Sequence, residues 1–479
     1  MDPATFRRHG HELVDWIAEY LEHPERYPVL SRVKPGEIAA ALPRHAPEEG
    51  EPFEAIMADF ERVLVPGLTH WNHPGFFAYF AITGSAPGVL ADFLSAALNQ
   101  QAMLWRTSPA ATELEEVTLA WLRRLIGLPE AFEGVIYDTA SIASMHALVA
   151  AREAAIPGVR AKGLSGRPDV PRIRVYCSEQ AHSSIDKSVI AIGLGHQSLR
   201  KIAVDDAYRM RVDALEAAIA EDRSALWLPI AVVATVGTTS TTSVDPVAAI
   251  ADICERDRLW LHVDAAYAGV AAMLPSHAHI LNGADRADSL VVNPHKWLFT
   301  PFDLSAFYCR RMDMIRAAFA LTPDYLMTAE AGQVKNLMDT GVQLGRRFRA
   351  LKLWMILRSY GAQAIREHLS AHIQLAQQLA GWIDAHPDFE RLAPVPFSVV
   401  CFRWKPAGRA LSDEELDAAN QRLNDAVNQT GEVFISPTRL RGRVALRVAI
   451  GHIRTSEQHV RRVWDLLQAH ASLDVVLRP

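Results

Sequence analysis

Lys296 sits in VVNPHKWLFTPFD (291–303), an apolar run with a single amine at its centre. An ammonium there must reach water, pair with an acid, or react. Desolvation disfavours the charged form, which makes a lysine in an apolar pocket a usable nucleophile. The structural alternative is a stem lying along Trp297 with its amine snorkelling to solvent. Asp264 closes the strand-like LHVD of LHVDAAYAG (261–269). Such an acid partners a buried cationic nitrogen, or it caps a helix. Thr139 and Ser141, in YDTASIASMHALVAAREA (137–154), stand where a polar turn opens into a long helix. Hydroxyls and backbone N–H groups at a helix start suit a phosphate, and they also suit plain capping. His182, in SEQAHSSIDKS (178–188), follows a strand and precedes another helix. Its flat imidazole can stack on a ring, move a proton, or simply serve as a hydrogen-bonded structural group.

Each of these has an ordinary structural explanation, but the set is more specific than its members. A phosphate cradle, a buried acid, a ring-sized stacker and an amine able to form an imine are together what pyridoxal phosphate requires. The lysine holds the cofactor, and the acid keeps its pyridine nitrogen protonated so that the ring accepts electrons. The chain between Asp264 and Lys296 has room for one helix and a return strand.

The elements that must position these residues can be read in outline. RIRVYCS (172–178), IAVVATVG (230–237), RLWLHVD (258–264) and SLVVNP (289–294) are β-branched or aliphatic runs that predict buried strands. They alternate with helical stretches such as DPVAAIADICERD (245–257). That alternation predicts βαβ crossovers and a largely parallel sheet covered on both faces, an α/β fold. In open sheets of this kind ligands bind beyond the carboxyl ends of the strands, and all four candidate sites follow strands. Three segments are expected. Residues 1–90 form a helical, proline-broken segment, 91–360 a large sheet domain, and 361–479 a small α+β domain with CFRWK (401–405), EELDAANQRLNDAVNQ (414–429) and RVALRVAI (443–450).

The chain has 479 residues, 49% hydrophobic and 22% charged, with a net charge of −6. An acidic balance argues against a nucleic-acid partner, whose phosphates select basic surfaces. The cluster LGRRFRALK (344–352) reads as a solvated or ion-paired helix face rather than an RNA site. Cys177, Cys254, Cys309 and Cys401 form no C-x-x-C pair and suit free thiols in a reducing compartment. No signal-peptide pattern opens the chain, and no apolar run reaches the ~20 residues of a membrane span. A cytoplasmic location is expected. Nineteen histidines show no H-E-x-x-H or Cys/His spacing, so no metal is expected. Ser184-x-x-Lys187 lacks the K-T-G partner of the penicillin-binding pattern. GLG (193–195) lacks the third glycine of a dinucleotide loop.

Nearly end to end, the sequence resembles the group II pyridoxal-phosphate-dependent amino-acid decarboxylases, and within them the aromatic-L-amino-acid decarboxylases. The motifs that carry this are FRRHGHELVDW, PGLTHWNHPGFFAYF, SPAATELE, QAHSSIDKS, VATVGTT, LHVDAAYAG, NPHKW and LGRRFRALKLW. The resemblance implies the PLP-dependent transferase-like fold type I, with a mainly parallel seven-stranded sheet. It also implies a homodimer with active sites at the interface, the N-terminal segment wrapping the partner. Lys296 would carry the cofactor as an imine and Asp264 would pair with the pyridine nitrogen. His182 would stack on the ring and assist protonation. Thr139, Ala140, Ser141, Asn293 and His295 would hold the phosphate, and Thr235 and Ala266 would line the ring. Tyr325, in LTPDYLMTAEAGQ, falls at the tyrosine of a mobile loop that returns a proton to Cα after CO2 leaves. Relatives that make aldehydes oxidatively tend to carry phenylalanine there.

The same resemblance implies a small-molecule amino-acid substrate, its ring held by Trp71, Tyr79 and Phe80, with Ile82, Gln101, Met103, His182 and His295. Here the sequence departs from its family. Ala81-Ile82 replaces the usual Pro-Thr, and Gln101 and Met103 replace an isoleucine and a phenylalanine contributed across the dimer. The expected reaction is decarboxylation of an aromatic L-amino acid to the amine. The rivals are an oxidative aldehyde synthase, an aminotransferase and an acidic-amino-acid decarboxylase on the same fold.

Overall fold

The computed structural model describes residues 1–321 and 332–471, so Tyr325 lies outside the described residues. The chain divides into two compact units.

The first unit takes in residues 82–376 and 393–399. Its sheet has seven strands: β1 (Glu133–Tyr137), β2 (Arg172–Ser178), β3 (Leu199–Ile202), β4 (Trp227–Thr235), β5 (Trp260–Asp264), β6 (Ser289–Val292) and β7 (Ser305–Cys309). They lie in the order β1-β7-β6-β5-β4-β2-β3. Only β7 runs against the rest, pairing antiparallel with β1 on one side and β6 on the other. This is the mainly parallel sheet of fold type I. Every residue of β5, β6 and β7 is buried. Successive side chains on a strand point to opposite faces, so unbroken burial means both faces are covered. The helix Ala140–Ala155 packs across β1, β4, β5, β6 and β7, and the helix Val247–Asp257 packs on β4 and β5.

The second unit comprises residues 1–81, 377–392 and the chain from Val400. It contains a four-stranded sheet in the order β10-β11-β9-β8. These strands are β8 (Phe389–Arg391), β9 (Val399–Trp404), β10 (Ser436–Leu440) and β11 (Arg443–Ala449). The helix Asp413–Gln429 starts in a capping box between Ser412 and Glu415 and packs on β11. The N-terminal segment is stitched into this unit by backbone bonds. Val29 N–H donates to Gly431 O (2.8 Å), Phe77 N–H to Phe434 O (2.8 Å), and Ala449 N–H to Phe77 O (2.9 Å).

The unit boundaries therefore differ from the three segments expected at 90 and 360. Residues 1–81 join the C-terminal unit because their unpaired backbone finds its partners there. The other boundary falls at residue 376, inside the helix Ala350–Ala385, which is interrupted at Gly361 (φ 70°, ψ 164°). That backbone conformation is open to glycine and strained for other residues. Among the described residues no helix is long and apolar enough to cross a membrane.

Candidate active site

β1, β2, β4, β5 and β6 run in one direction, so their carboxyl ends share one edge of the sheet. Each delivers residues singled out above. Thr139–Ser141 follow β1, His182 follows β2, and Thr235 ends β4. Asp264 ends β5 with Ala266 just beyond, and Asn293, His295 and Lys296 follow β6. The topology thus gathers residues scattered over more than 150 positions, at the edge where α/β sheets bind ligands.

Asp264 is buried, and its Oδ1 accepts the Ala266 N–H (3.1 Å). Thr235 faces it in register on the neighbouring strand. Asp245, also buried, accepts the Thr235 N–H (2.8 Å) and the Met210 N–H (2.7 Å), fixing the end of β4 from behind. Burial pushes the Asp245 carboxyl up to about 6.

Lys296 lies in the one-turn helix Pro294–Trp297, half-buried in a run of buried residues. Its N–H donates to Asn293 O (2.9 Å). Asn293 is tied back to the sheet, its N–H donating to Ala266 O (3.0 Å) and its Oδ1 accepting the Ser305 hydroxyl (2.6 Å). Trp297 is wholly buried, stacked on Tyr267 at 4.9 Å and donating to His372 Nδ1 (3.0 Å).

The helix Ala140–Ala155 begins at Thr139, whose hydroxyl does not cap it. The Thr139 N–H and hydroxyl turn instead to Asp138 Oδ1, at 2.6 and 3.2 Å. The first N–H groups of the helix have no intrahelical acceptors and remain donors for an anion.

His182 Nδ1 accepts the Ser184 N–H (3.1 Å) and meets the Ser184 hydroxyl (2.9 Å). This leaves Nε2 as the protonated nitrogen of the neutral ring. The side chain is exposed, yet desolvation by the surrounding protein and the charge of Lys296 hold the imidazole below its ordinary range. Asp264 acts on it with the opposite sign, so Lys296 and Asp264 both lie within electrostatic reach of the His182 ring. His295 is buried and pushed down to about 3 by desolvation, with Lys296 adding to the effect. It is therefore a neutral hydrogen-bonding group at any ordinary pH.

Gln101 Oε1 accepts the Arg346 N–H (2.6 Å), and a Cβ added to Gly345 would come within 3.1 Å of Gln101 Nε2. The Met103 carbonyl accepts the Met338 N–H (3.1 Å), and Ile82 is half-buried in the same unit. Trp71, Tyr79 and Phe80 belong to the second unit. There Trp71 stacks on Phe76 (4.4 Å) and Tyr79 (5.6 Å), and the Arg447 guanidinium lies over the Phe80 ring (4.7 Å).

Of the two alternatives for LGRRFRALK, solvated or ion-paired, Arg346 takes the ion-paired one, in the interior. Arg346 is buried and donates to Glu115 Oε1 (2.8 Å) and to Ile136 O (2.7 Å), while Glu115 Oε1 accepts the Ile136 N–H (2.8 Å). This pair grips β1 just before the turn that carries Thr139. The signal for it was Glu115 itself, which shares the buried stripe of the helix Pro109–Leu125 with Ala111, Thr112, Thr118, Leu119 and Leu122. His262, two residues before Asp264, also escaped notice. It is buried between the hydroxyls of Ser144 (3.0 Å) and Ser289 (2.9 Å).

One atom bears directly on what the site holds. Thr235 Oγ1 is buried with no hydrogen-bond partner among the described residues, a state that costs roughly 1–3 kcal/mol unless something satisfies it. An unsatisfied hydroxyl beside a buried acid, an uncapped helix start and a half-buried lysine fit the ring, pyridine nitrogen, phosphate and aldehyde of pyridoxal phosphate.

Comparison with known proteins agrees. Residues 35–405 match the pyridoxal-dependent decarboxylase conserved domain. The aromatic-L-amino-acid decarboxylase of Sus scrofa is 38% identical, over 98% of this chain and 97% of the pig protein. A phenylacetaldehyde synthase of Arabidopsis thaliana is 39% identical, again over 98% of this chain and 97% of its own. Among solved structures, Oryza sativa TDC with PLP and tryptamine superposes with a TM-score of 0.95 at 36% identity, covering 99% of both chains.

Proposed function

The chain belongs to the pyridoxal-dependent decarboxylase family, is a carboxy-lyase and uses pyridoxal phosphate, and from that premise we propose that it converts an aromatic L-amino acid to its amine and CO2. When bound, the cofactor supplies an electron sink for the bond to the departing carboxylate. Lys296 is the residue that would hold it covalently. Asp264, buried and steadied by the Ala266 N–H, holds a proton on the pyridine nitrogen. The N–H groups at Thr139, Ala140 and Ser141, with Asn293 and His295, hold the phosphate. Thr235 and Ala266 line the ring. His182, with Nδ1 committed to Ser184, stacks on the ring and moves a proton through Nε2. Tyr325 returns a proton to Cα.

The observation that carries this reading is the placement of Thr139, His182, Thr235, Asp264 and Lys296 at or just beyond the carboxyl ends of parallel strands along one sheet edge, with Thr235 facing Asp264 in register. For the substrate, Trp71, Tyr79 and Phe80 offer aromatic faces. Ile82, Gln101, Met103, His182 and His295 complete the assignment. The active form is a homodimer to which residues 1–90 contribute.

A second reading, oxidative aldehyde formation, is favoured by the identity to phenylacetaldehyde synthase. Tyr325, in place of phenylalanine, favours simple decarboxylation. The deciding experiment supplies cofactor-loaded enzyme with aromatic and acidic L-amino acids and quantifies amine, CO2, aldehyde and hydrogen peroxide together. Equal amine and CO2 from an aromatic substrate supports the proposal. Aldehyde with peroxide moves the enzyme to the oxidative branch, and turnover of acidic substrates alone refutes the aromatic pocket.

A further inference from the structure

Lys352 is a buried cation that the reaction outlined above does not use. It lies in the helix Ala350–Ala385 and is 1% exposed. Its Nζ donates to Pro301 O (3.0 Å) and Asp303 O (3.2 Å) and lies 3.3 Å from Asp92 Oδ2. Three ammonium hydrogens therefore meet three acceptors, a complete set for a lysine. Burying an ammonium is costly even when it is paired, and an aliphatic side chain would fill the same space without that cost. The selection of a lysine points to what it holds.

What it holds is the turn that follows Lys296. The two carbonyls bracket Phe302, whose ring lies 4.9 Å from that of His295. Arg349 adds a bond to the same turn, its Nε donating to Asp303 Oδ1 (2.8 Å). Earlier in the turn, Phe299 occupies the left-handed region (φ 52°), an unfavourable place for an aromatic residue. It is held there by complete burial and by the Ser85 hydroxyl, which donates to its carbonyl (2.8 Å). The segment is thus clamped at both ends.

Its exit is Leu304, and Leu304 is locked to His295 in both directions. The Leu304 N–H donates to His295 Nδ1 (2.9 Å), and the His295 N–H donates to Leu304 O (3.3 Å). An Nδ1 that accepts a backbone N–H leaves the proton of a neutral imidazole on Nε2.

We propose that Lys352 is a positioning residue: by holding the Pro301 and Asp303 carbonyls it sets Leu304 so that His295 stays in the Nε2–H form, ready to donate to the cofactor phosphate. The inference rests on the assignment of His295 to the phosphate made above. It gives the basic LGRRFRALK segment an internal purpose, with Arg346 bracing the cradle strand and Lys352 bracing the lysine turn.

The test compares two ligands of the apoprotein, pyridoxal phosphate and pyridoxal, which differ only in the phosphate. Lys352→Met should weaken pyridoxal phosphate by about tenfold, the scale of losing a supporting partner, and leave pyridoxal unchanged. In a His295→Asn background the same substitution should have no further effect. Lys352→Arg, which keeps the charge and the donors, should restore part of the discrimination. Equal weakening of both ligands, or a full additional loss on top of His295→Asn, would reduce Lys352 to a general core staple and overturn the proposal. If His295→Asn alone fails to separate the two ligands, the fault lies in the phosphate assignment beneath it. Should Lys352→Met not fold, Asp92→Asn loosens the same ammonium from the surface side and is read on the same two ligands.

Discussion

Arg346 and Glu115 meet at 2.8 Å with both side chains more than nine-tenths buried, and both also bond to Ile136. The pair is the brace of β1, and β1 carries the turn that opens the cofactor cradle. Removing one partner of a buried ion pair leaves the other charged and dry, at a cost of about 3–5 kcal/mol. Arg346→Met and Glu115→Leu should each lower the urea midpoint sharply, and the double variant should lose less than either alone. A double variant whose loss equals the sum of the singles would show that the two do not act as a pair.

Thr235→Val removes a hydroxyl that has no partner among the described residues. In the apoprotein this should be neutral or stabilising, by about 1 kcal/mol, because an unsatisfied buried group disappears. In the loaded enzyme it should shrink the stabilisation that cofactor confers. Thermal midpoints with and without pyridoxal phosphate check this. Equal shifts in both states would mean that the hydroxyl does not face the cofactor.

His262 gives a pH dependence of definite sign. Desolvation depresses its imidazole to about 4, against an ordinary value of 6.5. The neutral ring is the folded form, so its contribution is complete above about pH 6.5 and is lost as pH falls towards 4. The span corresponds to roughly 3 kcal/mol. His262→Gln keeps a hydrogen-bonding group between Ser144 and Ser289 but cannot titrate. The stability gap between wild type and this variant should narrow steadily from pH 7 to pH 4.5 in urea unfolding, and a gap constant with pH would refute the assignment.

Tyr325→Phe should retain cofactor, lower amine formation by about two orders of magnitude, and divert product to aldehyde and peroxide. Wild-type amine output with no aldehyde would show that another group returns the proton.

Much of this architecture was visible in the residues, for reasons that also explain the gaps. β2, β4, β5 and β6 announce themselves because strands buried on both faces need near-continuous aliphatic runs. β1 (EGVIY), β3 (LRKI) and β7 (SAFYC) lack such a run, each being broken by glycine, charged, polar or aromatic residues. β3 carries two charges, and β7 draws its place from pairing with β1 and β6 rather than from its own pattern. Asp264 and Lys296 were legible because a charged residue closing or following an apolar strand is conspicuous. For Arg346 and Lys352 ion pairing was one of two open alternatives and their burial was not legible, since the Arg346 partner, Glu115, lies 231 residues away. The two-unit division was hidden for the same reason: Phe77 pairs with backbone from the far end of the chain.

The bonds that orient the site run from chain to chain-atom: Ala266 to Asp264, Ser184 to His182, Leu304 to His295, Ser305 to Asn293. Each joins two groups of the protein itself, so these four side chains are aimed by the fold's own hydrogen bonds, and a substitution at any one donor would turn a single side chain of the site while leaving the sheet intact.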